Sequence, residues 1–242
     1  MRLDLLAVGA HPDDVELFCG GTLIAMASRG YRTGVLSLTA GELGTRGTPE
    51  NRLEEFAAAA RLLQAQLHEA LDIPDGRVDS SWENKLKVVR AIRTHRPSVV
   101  LAPYWEDRHP DHQNASRLLY ESVFLAALQK VATDQDPHRI DALAYYPCWH
   151  EFQPTFIVDI TDHQQRKMDA VMAYLSQFHH AEKKQFGNEE TPVSRPEFLE
   201  FIINRARHFG SMIGVGYGEA FFTRGPLPVQ DPVAFLSKRE QP

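Results

Sequence analysis

Short apolar segments alternate with longer segments of helical periodicity in the first part of the chain. LDLLAVGA (residues 3–10) and TGVLSLTA (residues 33–40) are typical of buried β-strands. Between them, VELFCGGTLIAMASRG has apolar residues at helical spacing up to Gly30. A strand, a helix and a strand in this order form a βαβ unit, which predicts that the two strands pair in parallel.

The same alternation continues along the chain. The sequence predicts helices over residues 49–65 and 82–97, with a proline at the first turn of one and at the end of the other. Strands are predicted at residues 67–72 and 98–104. This pattern predicts an α/β fold, a Rossmann-like and mostly parallel sheet with helices on both faces. The order of the strands does not follow from the sequence.

Length and charge limit the function. A chain of 242 residues with 43% hydrophobic content is long enough for one large core, and we expect a single domain over residues 1–242. The formal charge of −6 comes from scattered residues, which argues against a nucleic-acid partner and favours a small molecule. No apolar run approaches the roughly 20 residues that span a bilayer, so no membrane partner is expected.

Compartment and metal chemistry follow from two further features. Charged residues occur within about the first ten positions, which is too early for a removable secretory signal and predicts a cytoplasmic protein. Cys19 and Cys148 are far apart, so neither a disulfide framework nor a thiolate zinc cluster is expected. Any metal site must therefore use nitrogen and oxygen ligands.

Four polar clusters follow the four predicted strands. They are HPDD (residues 11–14), AGELGTRGT (residues 40–48), PDGR (residues 74–77) and WEDRHPDHQN (residues 105–114). Because ligands bind outside the carboxyl ends of the strands in open α/β sheets, we expect all four clusters on one rim.

The first and fourth clusters share a histidine–proline–aspartate pattern that is typical of a zinc site. Imidazole and carboxylate suit Zn²⁺, and a catalytic zinc commonly has three protein ligands and an open position for water. We predict His11, Asp14 and His112 as the ligands. The same ligands also accept Fe²⁺. The competing interpretation is that the aspartates only cap helices.

Three neighbouring side chains are candidates for catalysis. Asp13 would lie beside the metal without binding it, placed to take a proton from a zinc-bound water and return it to a leaving amine. His109, when protonated, would stabilise a tetrahedral oxyanion. Asp111 would orient His109 and favour its charged form.

At these motifs the sequence resembles the zinc-dependent PIG-L/LmbE-like N-acetylglucosaminyl de-N-acetylases, which have a Rossmann-like fold. Within that family it is similar to the subgroup of bacillithiol biosynthesis, which hydrolyses N-acetylglucosaminyl-malate to glucosaminyl-malate and acetate. The resemblance covers nearly the whole chain and includes LTAGELGTRGTPENR, PYWEDRHPDHQNA, VDI, YLSQF, NRARHFG and GVGYGEAF.

The resemblance implies the roles given above for the two histidine motifs. It also implies that Arg52 and Asp75 help to hold the sugar or its aglycone, and that the chain forms a homo-oligomer such as a hexamer. The alternatives are an ordinary surface arginine at Arg52 and an ordinary aspartate–glycine turn at Asp75. Some relatives have a tyrosine near Phe198, whose phenyl ring cannot donate a hydrogen bond to an oxyanion.

Other interpretations stay open at this point. The substrate could be a mycothiol precursor, a bacillithiol conjugate or a chitooligosaccharide, or the chain could be a non-catalytic module that binds metal or sugar. Gly20 and Gly21 lack the spacing of a dinucleotide-binding loop and indicate close packing of a helix on the sheet. Residues 179–197 are polar and contain two prolines, which favours a mobile segment that covers the ligand.

Overall fold

A computed structural model describes residues 2–178 and 189–237 of the chain. Within these residues the strands are β1 (Leu5–Gly9), β2 (Thr33–Ser37), β3 (Leu67–Ala70), β4 (Val99–Pro103), β5 (Ala142–Tyr146), β6 (Phe156–Asp159) and β7 (Gly218–Thr223). The α-helices are α1 (Asp14–Ser28), α2 (Pro49–Leu62), α3 (Trp82–His95), α4 (Pro110–Ala126), α5 (Gln164–Met172), α6 (Pro196–Ile213) and α7 (Pro232–Leu236).

The strands form one sheet in the order β3-β2-β1-β4-β5-β7-β6. Strands β1 to β5 are parallel, whereas β7 pairs antiparallel with both β5 and β6. The predicted α/β fold with a mostly parallel sheet is confirmed. Because β1 pairs with β2 on one side and with β4 on the other, the order reverses between β1 and β4, and a crevice opens at their carboxyl ends. The two histidine motifs follow these two strands, HPDD after one intervening residue and HPDH after five.

Helices cover both faces of the sheet. Side chains of a strand point alternately to opposite faces, and β1 shows this directly. Leu5 and Ala7 pack with residues of α1, α2 and α5, whereas Leu6 and Val8 pack with residues of α3 and α4. All four side chains are buried, so the strand that leads into the site is held from both sides.

Helix α1 packs closely on its neighbours at the glycine pair. A Cβ atom at Gly21 would lie 2.8 Å from Ile160 Cδ1, and one at Gly20 would lie 3.2 Å from Leu63 Cδ2. The Glu219 carboxylate on β7 also accepts a hydrogen bond from the Gly21 N–H at 3.0 Å. The glycine pair thus allows close packing, and the contacted side chains are those of residues that directly follow β6 and α2.

Several predicted boundaries extend beyond the observed elements. The strand predicted at residues 33–40 ends at Ser37, and the helix predicted at residues 49–65 ends at Leu62. Residues 179–197 are the segment predicted to cover the ligand, and 179–188 of them lie outside the described residues. Its remainder contains a short 3₁₀ turn, Pro192–Ser194, and the first residues of α6. Among the described residues, no helix has the length and apolar character needed to cross a bilayer.

Candidate metal and catalytic site

A cavity of about 290 Å³ opens in the crevice beyond β1 and β4. Its lining includes a residue from each of the four polar clusters, among them His11, Gly44, Asp75 and His109. The expectation that the four clusters share one rim is therefore confirmed. The clusters come together because each one follows a strand of the same parallel sheet.

The turn from β1 into α1 places two adjacent carboxylates in different directions. Asp13 has φ of 111°, in the left-handed region that residues with a Cβ rarely adopt, at a cost of about 1–3 kcal/mol. The His11 N–H donates to Asp14 Oδ2 at 2.9 Å and closes the turn. Gly9 gives the room for this turn, because a Cβ there would lie 2.8 Å from Asp14 Cβ.

The Asp14 carboxylate of the first motif lies between His11 of the same motif and His112 of the second. Asp14 Oδ1 lies 3.1 Å from His112 Nε2, and Asp14 Oδ2 lies 3.6 Å from His11 Nδ1. Ligands about 2.0–2.1 Å from a tetrahedral zinc are separated by roughly 3.3 Å. The nitrogen and carboxylate set of His11, Asp14 and His112 therefore fits a divalent metal in its chemistry, and the two distances from Asp14 are close to this separation.

The outer nitrogens of the two candidate ligand rings are held by other carboxylates. His11 Nε2 lies 3.1 Å from Asp75 Oδ1 and 3.3 Å from Asp111 Oδ2. His112 Nδ1 lies 3.0 Å from Asp107 Oδ1. This carboxylate–histidine arrangement fixes ring orientation and tautomer in metal sites. The structure places Asp75 against His11, where the resemblance implied contact with the sugar.

The candidate base Asp13 is paired with Arg52. The Asp13 Oδ2 atom lies 3.1 Å from Arg52 Nη2, which also donates to the Pro12 carbonyl at 2.6 Å. Arg52 Nη1 donates to the Gly41 carbonyl at 3.2 Å, and the side chain is buried. Arg52 therefore holds Asp13 and the two surrounding loops together, a contact that the sequence did not predict. Burial raises the pKa of Asp13 to about 7, although the Arg52 guanidinium acts in the opposite direction.

His109 lies at the exposed edge of the same site. It is the N-cap of α4, and its Nδ1 accepts a hydrogen bond from the Asp111 backbone N–H at 3.2 Å. A proton on this ring is therefore placed on Nε2. Burial and the neighbouring His11 and His112 lower the pKa of His109, which favours a neutral ring over the protonated ring that we expected.

Asp111 contacts His109 through its backbone, whereas we expected its carboxylate there. The Asp111 Oδ2 atom accepts from the Gly76 N–H at 2.8 Å and faces His11. The reason is the start of α4: helical geometry turns the backbone N–H of Asp111 toward its N-cap residue and its side chain toward the loop after β3.

Opposite charges dominate the electrostatics at the candidate ligands. Burial acts to raise the pKa of Asp14, but His112 and His11 hold it well below its usual range. Burial acts to lower the pKa of His112 and of His11, but carboxylates, Asp14 among them, raise both well above the usual value. The carboxylates around the two rings thus favour positive charge on them.

One residue of the site, Asp107, was not predicted from the sequence as part of it. Asp107 lies in EDRHPDH, but its position relative to the two histidines does not by itself predict a role. Only its contacts in the structure place it in the site. Arg108 stacks on the Trp149 ring at 3.5 Å from its centroid, and that ring lines the cavity. Phe198 packs 5.5 Å from Trp149, as part of an aromatic wall.

Comparison with known proteins agrees with this geometry. The model of the family PIG-L, GlcNAc-PI de-N-acetylase, matches residues 6–123. The diacetylchitobiose deacetylase of Thermococcus kodakarensis is 33% identical over 231 residues, which cover 89% of this chain and 80% of that protein. The 1D-myo-inositol 2-acetamido-2-deoxy-alpha-D-glucopyranoside deacetylase of Kribbella flavida is 28% identical over 174 residues, which cover 55% of this chain and 57% of that protein.

A solved structure matches almost the whole chain. The conserved protein TT1542 from Thermus thermophilus is 41% identical, with a TM-score of 0.86 and coverage of 96% of this chain and 98% of that one. The sheet, the two histidine motifs at its switch point and these similarities lead to one conclusion. The chain belongs to the PIG-L family of de-N-acetylases and is an N-deacetylase hydrolase.

Proposed function

We propose that the protein is a zinc-dependent hydrolase that removes the N-acetyl group from N-acetylglucosaminyl-malate in bacillithiol biosynthesis. One observation carries the proposed chemistry: Asp13 lines the same open cavity as His11, Asp14 and His112. A carboxylate placed next to a metal is suited to accept a proton from water and to return it.

His11, Asp14 and His112 would hold the zinc, or ferrous iron in its place. When bound, a divalent ion at this point supplies Lewis acidity, which polarises the acetyl carbonyl and lowers the pKa of water. Asp13 takes the proton of the attacking water and later delivers it to the departing amine nitrogen. Arg52 keeps Asp13 in place during both transfers.

His109 completes the proposed chemistry from the exposed side of the site. With Nδ1 occupied by the Asp111 N–H, the Nε2–H of a neutral ring is free to donate. One ring nitrogen of His109 lies within 4.8 Å of a ring nitrogen of His11 and of one of His112. His109 therefore donates a hydrogen bond to the acetyl oxygen as negative charge develops on it.

The choice of malate as aglycone rests on a cation at the cavity and on the subgroup resemblance. Arg52 is occupied by Asp13, and Arg195 pairs with Glu190 at 3.3 Å. Arg108 is exposed and stacked on Trp149 at the wall of the cavity, where it can meet an aglycone carboxylate. A neutral disaccharide has no carboxylate to pair with this charge.

Acetate release tests the proposal. We expect the zinc-loaded protein to hydrolyse N-acetylglucosaminyl-malate with a kcat/KM about 10-fold or more above that for the methyl glycoside of N-acetylglucosamine, the scale of one charged hydrogen bond. Diacetylchitobiose and N-acetylglucosaminyl-inositol are run in parallel. No acetate from any of these compounds would refute the proposed reaction.

Diacetylchitobiose is the second candidate substrate, because the relative from Thermococcus kodakarensis carries that activity in its name. A higher kcat/KM for diacetylchitobiose than for the malate compound would replace the malate proposal and leave the deacetylase chemistry intact.

Substitution of Arg52 separates two roles for this residue. We expect Arg52→Gln to lower kcat at least about 10-fold with little change in KM, because Asp13 loses the partner that positions it. Arg61→Gln, on an exposed position of the same helix, serves as the control. A raised KM with an unchanged kcat would instead assign Arg52 to substrate binding, as the resemblance implied.

Two further expectations stay predictions. We infer a homo-oligomer, for which a hexamer is one form, and a cytoplasmic location. The oligomer is supported by a surface groove of about 610 Å³ between α3 and α4, where Trp82, Tyr120 and Phe124 are exposed.

A further inference from the structure

Asp107 lies in the loop between β4 and α4 and is almost fully buried. Its carboxylate contacts three nitrogen groups of the site, two in the HPDH motif and one at Trp149. Oδ1 lies 3.0 Å from His112 Nδ1 and accepts from the His109 backbone N–H at 2.8 Å. Oδ2 accepts from the Trp149 backbone N–H at 2.7 Å.

The two oxygens of Asp107 serve different sides of the site. Oδ1 holds the histidine motif, because it contacts a ligand ring and the backbone of the candidate oxyanion donor. Oδ2 holds the segment after β5, whose Trp149 ring lines the cavity and carries the stacked Arg108. One buried side chain thus connects the metal ligand to the wall against which the aglycone would lie.

We propose that Asp107 is a positioning residue that sets the His112 ring and the Trp149 wall relative to each other. The substrate part of this inference rests on the proposed function. The metal part rests only on the contacts of Asp107 and on the fit of the donor set to a divalent ion.

A competing explanation is a second metal position on the far side of His112. Donor atoms of Asp107, His112 and Cys148 lie within 4.8 Å of one another. The geometry favours the positioning role, because both Asp107 oxygens already accept N–H groups of the backbone. A zinc stoichiometry near one per chain is expected, and two per chain with loss of one in an Asp107 variant would overturn the proposal.

Two substitutions separate the functions of the two oxygens. In Asp107→Asn the remaining oxygen can keep both hydrogen bonds on the histidine side, which leaves the amide NH₂ facing the Trp149 N–H. We expect zinc affinity to stay within about 3-fold and KM to rise about 10-fold, the scale of one lost hydrogen bond. In Asp107→Ala all three bonds are lost, and zinc affinity falls about 10- to 100-fold.

Zinc affinity is measured by competition with a chromophoric chelator. Amide hydrogen exchange of the peptide that contains Trp149 is measured on the same samples, and we expect faster exchange in both variants because its acceptor is lost. Asp79→Asn is the matched control: Asp79 also accepts a loop N–H, from Ser81 at 3.0 Å, but lies outside the site lining. That variant keeps wild-type zinc affinity and KM.

The outcomes are distinct. Unchanged zinc affinity in Asp107→Ala together with unchanged exchange at Trp149 would overturn the positioning role, even if thermal stability falls. If Asp107→Ala does not fold, Asp107→Asn carries the test through KM and the Trp149 exchange. If the wild-type protein releases no acetate, the proposed function fails, while zinc affinity and exchange still decide the role of Asp107.

Discussion

Asp13→Asn is expected to keep the metal and to lose at least about 100-fold in kcat for deacetylation, the scale of a positioned general base. Asparagine has nearly the shape of aspartate, so the turn into α1 and the convergence of His11 and Asp14 are retained. The amide, however, cannot take a proton from water. Metal content by elemental analysis and initial rates of acetate release on the same preparation provide the measurement.

Asp4→Asn is the control for this experiment. Asp4 precedes the same strand at its opposite end, where its Oδ2 accepts from the Arg32 N–H at 2.7 Å. The Asp4→Asn substitution removes the same charge as Asp13→Asn but far from the cavity, and we expect wild-type turnover. Near-normal turnover of a metal-loaded Asp13→Asn protein would show that another group moves the proton.

Loss of zinc is the expected result of His112→Ala. The substitution removes one of three proposed ligands, so zinc affinity should fall by at least about 100-fold, beyond the effect of a lost outer contact. Deacetylation should fall with it and should not recover at moderate added zinc. Chelator competition measures the affinity, and elemental analysis measures the occupancy after dialysis.

Two further histidine variants serve as controls for this result. His109→Ala should retain zinc while losing activity, because we place His109 at the substrate side of the metal. His138→Gln changes a buried histidine outside the site, which lies 2.7 Å from the Pro97 carbonyl, and should alter neither property. Unchanged affinity in His112→Ala, or zinc loss in His109→Ala, would require a different ligand set.

The convergence of the two motifs could be predicted because it depends on local patterns and a general rule. HPDD and HPDH each follow an apolar strand, and parallel strands bring their carboxyl ends to the same edge. The rule did not give the order of the strands. That β1 and β4 are neighbours, which brings His11 to His112, appears only in the hydrogen-bond pairing of the sheet.

The partners of individual side chains could not be predicted. The contacts of Arg52 with Asp13 and two carbonyls were not predicted, and its assignment to the sugar stays a prediction. Asp111 was assigned to His109, but its carboxylate faces His11. Both residues lie on the rim where the sequence placed them. Their observed neighbours differ from the expected ones, because a contact across the rim depends on how loops from different strands are packed.

The amino-acid sequence by itself determined the α/β class, the rim of polar clusters and the residue types that suit a metal, since strand and helix periodicity and short motifs are local properties. Only the tertiary structure decided which carboxylate holds which histidine, and that Asp107 joins His112 to the Trp149 wall. These contacts connect residues up to 100 positions apart, such as His11 and Asp111, and their geometry depends on strand order and helix packing, which no local pattern encodes.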